Sequence, residues 1–209
     1  MNTQKHKLLI SILIAFLLWF VMFSPWTASL IPFWPMMSVS AMLLLTMAFS
    51  FRRDWRGILR FTPRALAYGA LLAAFLWCVF WLGDKASGII FHFAPRQIAD
   101  VYTLREGTSP VVIALLLLLI IGPAEEIFWR GYVQRSLADL YGKNAAVLIA
   151  VAVYTLVHIF SFNLMLLAAA ALLGCVWSIL FRLYPRSLPA LIVSHALWDA
   201  AVFVFFPFR

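Results

Sequence analysis

Seven apolar stretches, each close to the length that crosses a bilayer as a helix, constrain the fold of this chain most strongly. Crossing the hydrocarbon core takes about 20 predominantly apolar residues in a helix. Charged residues make up only 11% of the sequence, whereas a soluble domain carries about 25%. A water-soluble globule is therefore excluded, and we predict an all-α, polytopic membrane helix bundle. The predicted spans are Leu8–Phe23, Met36–Phe51, Ala65–Leu82, Val111 to about Leu137, Asn144–Phe160, Leu164–Tyr184 and Leu188–Phe206.

The basic residues are distributed unevenly over the loops between these spans. If the N-terminus is cytoplasmic, the cytoplasmic side carries Lys5, Lys7, Arg52, Arg53, Arg56, Arg60, Arg64, Arg130, Arg135, Lys143, Arg182 and Arg186, and the outside carries Lys85, Arg96, Arg105 and Arg209. This asymmetry follows the positive-inside rule, so most of the net charge of +8 is explained by topology rather than by a nucleic-acid partner. We predict a multi-pass protein of the cell inner (plasma) membrane. The first stretch could be a signal peptide, but the spans alternate correctly only if it is retained.

The chain is predicted to form one membrane domain over residues 1–209. Residues 1–82 hold the N-terminal helices and residues 110–207 the catalytic helices. Residues 83–109 are too polar to span, and we expect an outer-surface loop or an interfacial helix there.

Several ionisable side chains lie inside the predicted spans. An ionised side chain near the bilayer centre costs roughly 2.5–3.5 kcal/mol on insertion scales. These groups must therefore meet one another or line a wet cavity. They are Glu125, Glu126 and Arg130 in the fourth span, His158 in the fifth, and His195 and Asp199 in the seventh.

The spacing of these residues in the sequence shows which of them can pair within one helix. Glu126 and Arg130 are four residues apart and can form an ion pair within their helix, whereas Glu125 points about 100° away and has no partner there. His195 and Asp199 are also four residues apart. A buried structural network explains Glu126 with Arg130 but not the other groups, so an active or binding site is predicted.

Two chemistries suit this set of side chains. A carboxylate beside a second carboxylate and a histidine can act as general base on a water molecule, while the remaining polar groups stabilise a tetrahedral oxyanion. The same residue types can also bind zinc. The HExxH motif is absent. The residues alone do not decide between a water molecule activated by a carboxylate and a zinc-dependent reaction.

Three motifs together resemble a known family. EExxxR (Glu125 to Arg130), an aromatic-xxx-His (Tyr154 to His158) and Hxxx(Asn/Asp) (His195 to Asp199) occur in this order on three predicted helices. They resemble the CPBP family of membrane proteases, which includes the type II CAAX prenyl endopeptidases and bacteriocin-processing and self-immunity proteins. The motifs lie between residues 122 and 199.

The resemblance implies a glutamate-dependent intramembrane endopeptidase with its active site on helices 4, 5 and 7. Glu125 would activate water with the assistance of His158. Glu126 and Arg130 would support the site, and His195 and Asp199 would bind the oxyanion. No cofactor is expected, with zinc as the alternative.

Two positions depart from the family pattern. Tyr154 stands where Phe is common, which adds a hydroxyl group. Asp199 stands where Asn is common. An ionised Asp cannot donate a hydrogen bond to an oxyanion, so Asp199 must either be protonated or orient His195.

The expected substrate is a membrane-embedded, lipidated or C-terminal-anchor segment of a protein or peptide, and a bacterial peptide or anchor helix is favoured over a prenylated protein. The alternatives are a non-proteolytic bacteriocin-immunity or regulatory scaffold of the same fold, a metal-dependent protease, and a small transporter with a proton relay. The sequence predicts no oligomeric state.

Overall fold

Every regular element in the computed structural model, which describes residues 2–208, is helical. Within these residues, seven helices are long and apolar enough to cross a membrane. The seven spans are Thr3–Phe23, Phe33–Phe51, Pro63–Ile90, Pro110–Tyr141, Lys143–Ser161, Leu164–Leu183 and Pro185–Phe205. The predicted all-α bundle of seven spans is thus confirmed, while Arg209, which we assigned to the outside, lies outside the described residues.

The third span differs most from its prediction. It continues to Ile90 rather than ending at Leu82, although Asp84 and Lys85 lie in the added turns. The Asp84 side chain is buried and its carboxylate is 3.3 Å from Lys85 Nζ, so these charges are accommodated within a helix. A short helix, Ala94–Tyr102, follows. The location of this region on the outer surface stays a prediction.

Polar contacts tie the loops together at one end of the bundle, which we call the arginine-rich end (residues 52–64 and 135–143). Arg52 Nη1 donates to Asp139 Oδ2 over 2.8 Å, and Arg135 forms an ion pair with Asp54. Burial raises the pKa of the Asp54 carboxyl. The hydrogen bond from Arg52 and the charges of Arg135 and Arg52 outweigh this effect and hold the pKa below its ordinary value.

The opposite end of the bundle is covered by residues 91–109, which we call the surface segment. Trp34 Nε1 donates to the carbonyl oxygen of Leu104 over 2.8 Å. The backbone N–H of Phe208 donates to the Tyr102 hydroxyl over 3.1 Å. The surface segment is therefore fixed both to the start of the second span and to the chain beyond the seventh.

The fourth span lies in the core and changes its helical register twice. Its π-helical turns Leu117–Ile121 and Ile127–Gln134 enclose the α-helical residues Gly122–Glu126. Pro123 lacks the N–H that an α-helix interior requires, and an inserted π-turn is one way in which a helix accommodates such an interruption. These π-turns flank both glutamates.

Gly122 permits close packing of the fourth span on the seventh. A Cβ atom at this position would lie 2.7 Å from Ala196 Cα. Because Ala196 follows His195 in the chain, the missing side chain brings the backbone of the glutamate segment against the backbone beside His195. The fifth span ends nearby in a 3₁₀ turn, Val157–Ser161, which carries His158.

Candidate active site

Glu126 is the centre of a buried ionic group that joins the fourth and seventh spans. Its Oε1 accepts hydrogen bonds from Arg130 Nη1 over 2.9 Å and from His195 Nδ1 over 2.8 Å. The Glu126 side chain is completely buried and that of Arg130 is 1% exposed. The predicted ion pair within the helix is confirmed, and we call Glu126, Arg130, His195 and Asp199 the Glu126 cluster.

His195 lies between two carboxylates. Its Nδ1 bonds to Glu126, and its Nε2 is 3.3 Å from Asp199 Oδ2. An imidazole can donate from both nitrogens only when it is protonated. The Trp177 ring stacks on His195 with a centroid distance of 4.2 Å and an interplanar angle of 20°. This arrangement suits an imidazolium cation fixed in one orientation.

Arg130 is held mainly by aromatic rings beyond its bond to Glu126. Its guanidinium carbon lies 4.5 Å from the ring centroid of Tyr154 and 5.3 Å from that of Trp177. Within the part of the chain that the structure describes, its Nε and Nη2 atoms make no hydrogen bond. Cation–π contacts therefore replace part of the hydration of this buried charge, and Tyr154 takes part in them.

Glu125 is placed differently from its neighbour. Its side chain lines a cavity and is only slightly exposed, and it forms no hydrogen bond or ion pair with any side chain among residues 2–208. One carboxylate of the adjacent pair is thus engaged with two cations, and the other faces open space.

His158 lines the same cavity, and both of its ring nitrogens have partners. Trp19 Nε1 donates to His158 Nε2 over 3.1 Å. His158 Nδ1 lies 2.9 Å from the carbonyl oxygen of Tyr154. Since an indole N–H only donates, Nε2 must accept, so Nδ1 carries the proton and donates to the carbonyl. The imidazole is neutral and has a single tautomer in this geometry.

The cavity has a volume of about 400 Å³ and is lined mostly by apolar side chains. At its inner end it meets Glu125, His158, His195 and Asp199, so it brings together side chains of the fourth, fifth and seventh spans. It extends away from the arginine-rich end, because its lining includes Trp34, Tyr102 and Phe208 near the surface segment. Ala168–Ala170 of the sixth span and Val79 and Phe80 of the third line it laterally.

Two of the aromatic residues that contact the site were not predicted. Trp19 lies on the first span and Trp177 on the sixth, and both are completely buried. The chain has nine tryptophans, and a tryptophan in an apolar span has the same sequence pattern whether it packs on a histidine or faces lipid. The sequence carried no signal that distinguishes these two.

Metal binding was weighed against the same side chains. Among the described residues, no group of three or more His, Cys, Asp or Glu side chains is arranged to hold a metal ion. Two of the carboxylate oxygens nearest His195 already bond to its nitrogens. That no cofactor takes part stays a prediction.

A comparison with protein families bears on these residues directly. Residues 107–201 match the model of the family described as type II CAAX prenyl endopeptidase Rce1-like. This part of the chain is similar to that family. The matched range contains every predicted site residue from Glu125 to Asp199, and the resemblance drawn from the three motifs is confirmed. No curated protein and no solved structure matches the chain.

At the level of the family, the Rce1-like match indicates a CAAX-type intramembrane protease. It also indicates a multi-pass membrane protein whose substrates are membrane proteins. The first three spans, two of which supply Trp19 and Trp34, lie outside the matched range.

Proposed function

We propose that this protein is an intramembrane endopeptidase in which Glu125 activates water to hydrolyse a peptide bond of a membrane-embedded, lipidated or C-terminal-anchor segment. The observation that carries the proposal is the unequal environment of two adjacent carboxylates. Glu126 is bonded to Arg130 and His195, whereas Glu125 faces the cavity without a hydrogen-bonding partner among residues 2–208.

Different surroundings give two carboxylates different roles. A carboxylate that already accepts bonds from two cations has little capacity to remove a proton from water. A buried carboxylate without such partners is a stronger base and has room for a water molecule beside it. Glu125 is therefore the general base, and Glu126 organises the cations.

The reaction then proceeds in two steps. Glu125 accepts a proton from the water molecule. At the same time the oxygen of the water attacks the carbonyl carbon of the scissile peptide bond, which gives a tetrahedral oxyanion. The oxyanion collapses, the carbon–nitrogen bond breaks, and the leaving amine takes the proton from the Glu125 carboxyl group. A positioned base of this kind contributes typically 10²–10⁴-fold to the rate.

His195 supplies the positive charge that the oxyanion needs. The 3.3 Å separation between its Nε2 and Asp199 Oδ2 is long for a charged hydrogen bond. The same N–H can therefore be shared between Asp199 and an oxyanion beside it, while Glu126 and Trp177 keep the ring in place. Of the two roles that the sequence leaves to Asp199, orienting His195 agrees better with this geometry.

The cavity defines how the substrate reaches Glu125. An apolar segment enters from the end of the bundle that carries the surface segment, opposite to the arginine-rich end. If the arginine-rich end is cytoplasmic, as the positive-inside rule predicts, the scissile bond is approached from the outer side of the membrane. A peptide or anchor helix with an apolar sequence suits the apolar walls.

Cleavage assays with protein purified in detergent test this proposal. The wild type, Glu125→Ala and His158→Ala would be incubated with synthetic C-terminal-anchor and leader peptides, with and without a chelator, and the products identified by mass spectrometry. We expect cleavage by the wild type alone, unaffected by the chelator. Loss of cleavage with the chelator, together with stoichiometric zinc in the protein, would favour the metal-dependent alternative.

A binding protein of the same fold would behave differently in these assays. It would cleave none of the peptides, and a phenotype of the cell that depends on it would persist in both variants. That combination would overturn the proposed function and favour an immunity or regulatory scaffold.

A further inference from the structure

Trp19 contacts the one histidine of the site that lies outside the Glu126 cluster. The indole is completely buried, and its N–H donates to His158 Nε2 over 3.1 Å. The two rings meet edge to face with a centroid distance of 5.9 Å. Trp19 lies on the first span, far in sequence from the motifs and outside the range that the family comparison matches.

The bond from Trp19 determines which nitrogen of His158 carries a proton. Neutral imidazole exists in two tautomers, and the hydrogen bond at one nitrogen selects the state of the other. An indole N–H stabilises only the tautomer with an unprotonated Nε2, and the Tyr154 carbonyl, 2.9 Å from Nδ1, stabilises the same form. Trp19 therefore keeps a basic nitrogen in an apolar cavity.

We propose that Trp19 is a positioning residue that fixes His158 as the Nδ1-protonated tautomer and so keeps Nε2 able to accept a hydrogen bond from the catalytic water molecule. This inference rests on the proposed function and on the role that the family resemblance implies for His158, the assistance of Glu125. In the absence of substrate the indole N–H occupies the lone pair of Nε2. When water and substrate enter the cavity, the indole N–H gives up that lone pair, which then accepts a hydrogen bond from the second hydrogen of the water molecule that Glu125 activates.

The chain offers a matched control for this role. Trp129 is as deeply buried as Trp19 and packs against it edge to face with a centroid distance of 6.3 Å. Its indole N–H makes no hydrogen bond within the described residues. Trp19→Phe and Trp129→Phe therefore remove the same atoms from neighbouring sites, and only the first removes a bond to His158.

The tautomer of His158 can be determined without any substrate. In protein labelled with ¹⁵N-histidine and dissolved in detergent, Nε2 and Nδ1 of His158 give distinct unprotonated and protonated nitrogen signals, which His158→Gln assigns by their disappearance. We expect an unprotonated Nε2 in the wild type and in Trp129→Phe, and a detectable share of the Nε2-protonated tautomer in Trp19→Phe, where only the Tyr154 carbonyl still selects the tautomer. A protonated Nε2 in the wild type would overturn the inference even if Trp19→Phe failed to fold.

Peptide cleavage then tests the consequence for catalysis. We expect kcat to fall roughly tenfold in Trp19→Phe, about the effect of one hydrogen bond, with KM unchanged and with Trp129→Phe close to the wild type. A changed tautomer with unchanged kcat would overturn the positioning role while leaving the proposed function intact. If the wild type cleaved no peptide, the proposed function would fail, and the nitrogen signals would still decide whether Trp19 sets the tautomer.

Discussion

At the scale of single residues, the site depends on the different partners of Glu125 and Glu126. Glu126 accepts bonds from Arg130 and His195 in a dry environment, where an uncompensated charge is expensive. Glu125 borders a cavity and has no such bonds to lose. Two neighbouring residues of the same type should therefore differ sharply in what they contribute to stability.

We predict that Glu126→Gln lowers the free energy of unfolding by about 3–5 kcal/mol, because it leaves two buried cations without their carboxylate. Glu125→Gln should leave stability unchanged or raise it, since a neutral amide is less costly to bury than a carboxylate. Denaturation in detergent, followed by tryptophan fluorescence, measures both. Equal losses in the two variants would show that Glu125 also has a structural partner.

Asp199 gives a second prediction at this scale. If it orients His195, an amide in its place can still accept a bond from His195 Nε2, whereas a methyl group cannot. We expect Asp199→Asn to keep cleavage activity within about tenfold of the wild type, and Asp199→Ala to lose about tenfold more. Lower activity in Asp199→Asn than in Asp199→Ala would contradict an orienting role.

At the scale of the helices, the fourth span places the glutamates by packing closely on the seventh. This contact depends on Gly122, where a Cβ would meet the backbone of Ala196 at 2.7 Å. We predict that Gly122→Ala separates the two spans, costs about 1–3 kcal/mol of stability and weakens cleavage strongly. The control is Gly57→Ala, because a Cβ at Gly57 would meet nothing within 4 Å. Normal activity in Gly122→Ala would mean that the spacing of these helices does not matter.

The helices also show which structural features the sequence patterns could predict. Apolar length predicted all seven spans, and spacing predicted the Glu126–Arg130 pair, because both follow from local helical geometry. The extension of the third span past Leu82 was missed, since Asp84 and Lys85 resemble loop residues unless the burial of Asp84 is known. The contact between Trp19 and His158 joins two residues 139 positions apart, and no local pattern encodes it.

At the scale of the whole molecule, the cavity extends toward one end of the bundle and the arginine-rich end lies opposite. The cavity extends toward the surface segment, while the arginine-rich end is closed by the ion pairs of Arg52 and Arg135. The orientation in the membrane therefore decides from which side a substrate is cleaved.

We predict that the arginine-rich end is cytoplasmic. The chain has two cysteines, Cys78 and Cys175, and both are free thiols. In a background with both replaced by serine, a membrane-impermeant maleimide added to intact cells should label Glu106→Cys in the surface segment. It should not label Gly57→Cys until the cells are opened. The reverse pattern would place the cavity toward the cytoplasm.

The most direct test of the central claim is cleavage in water enriched in ¹⁸O by the wild type, Glu125→Gln and Glu126→Gln in lipid vesicles with a C-terminal-anchor peptide. We predict that the wild type incorporates one ¹⁸O atom into the new carboxyl terminus and that Glu125→Gln, although stably folded, is slower by at least about 10²-fold. Glu126→Gln should lose activity in parallel with its stability. Cleavage by Glu125→Gln at the wild-type rate would contradict the assignment of Glu125 as the base.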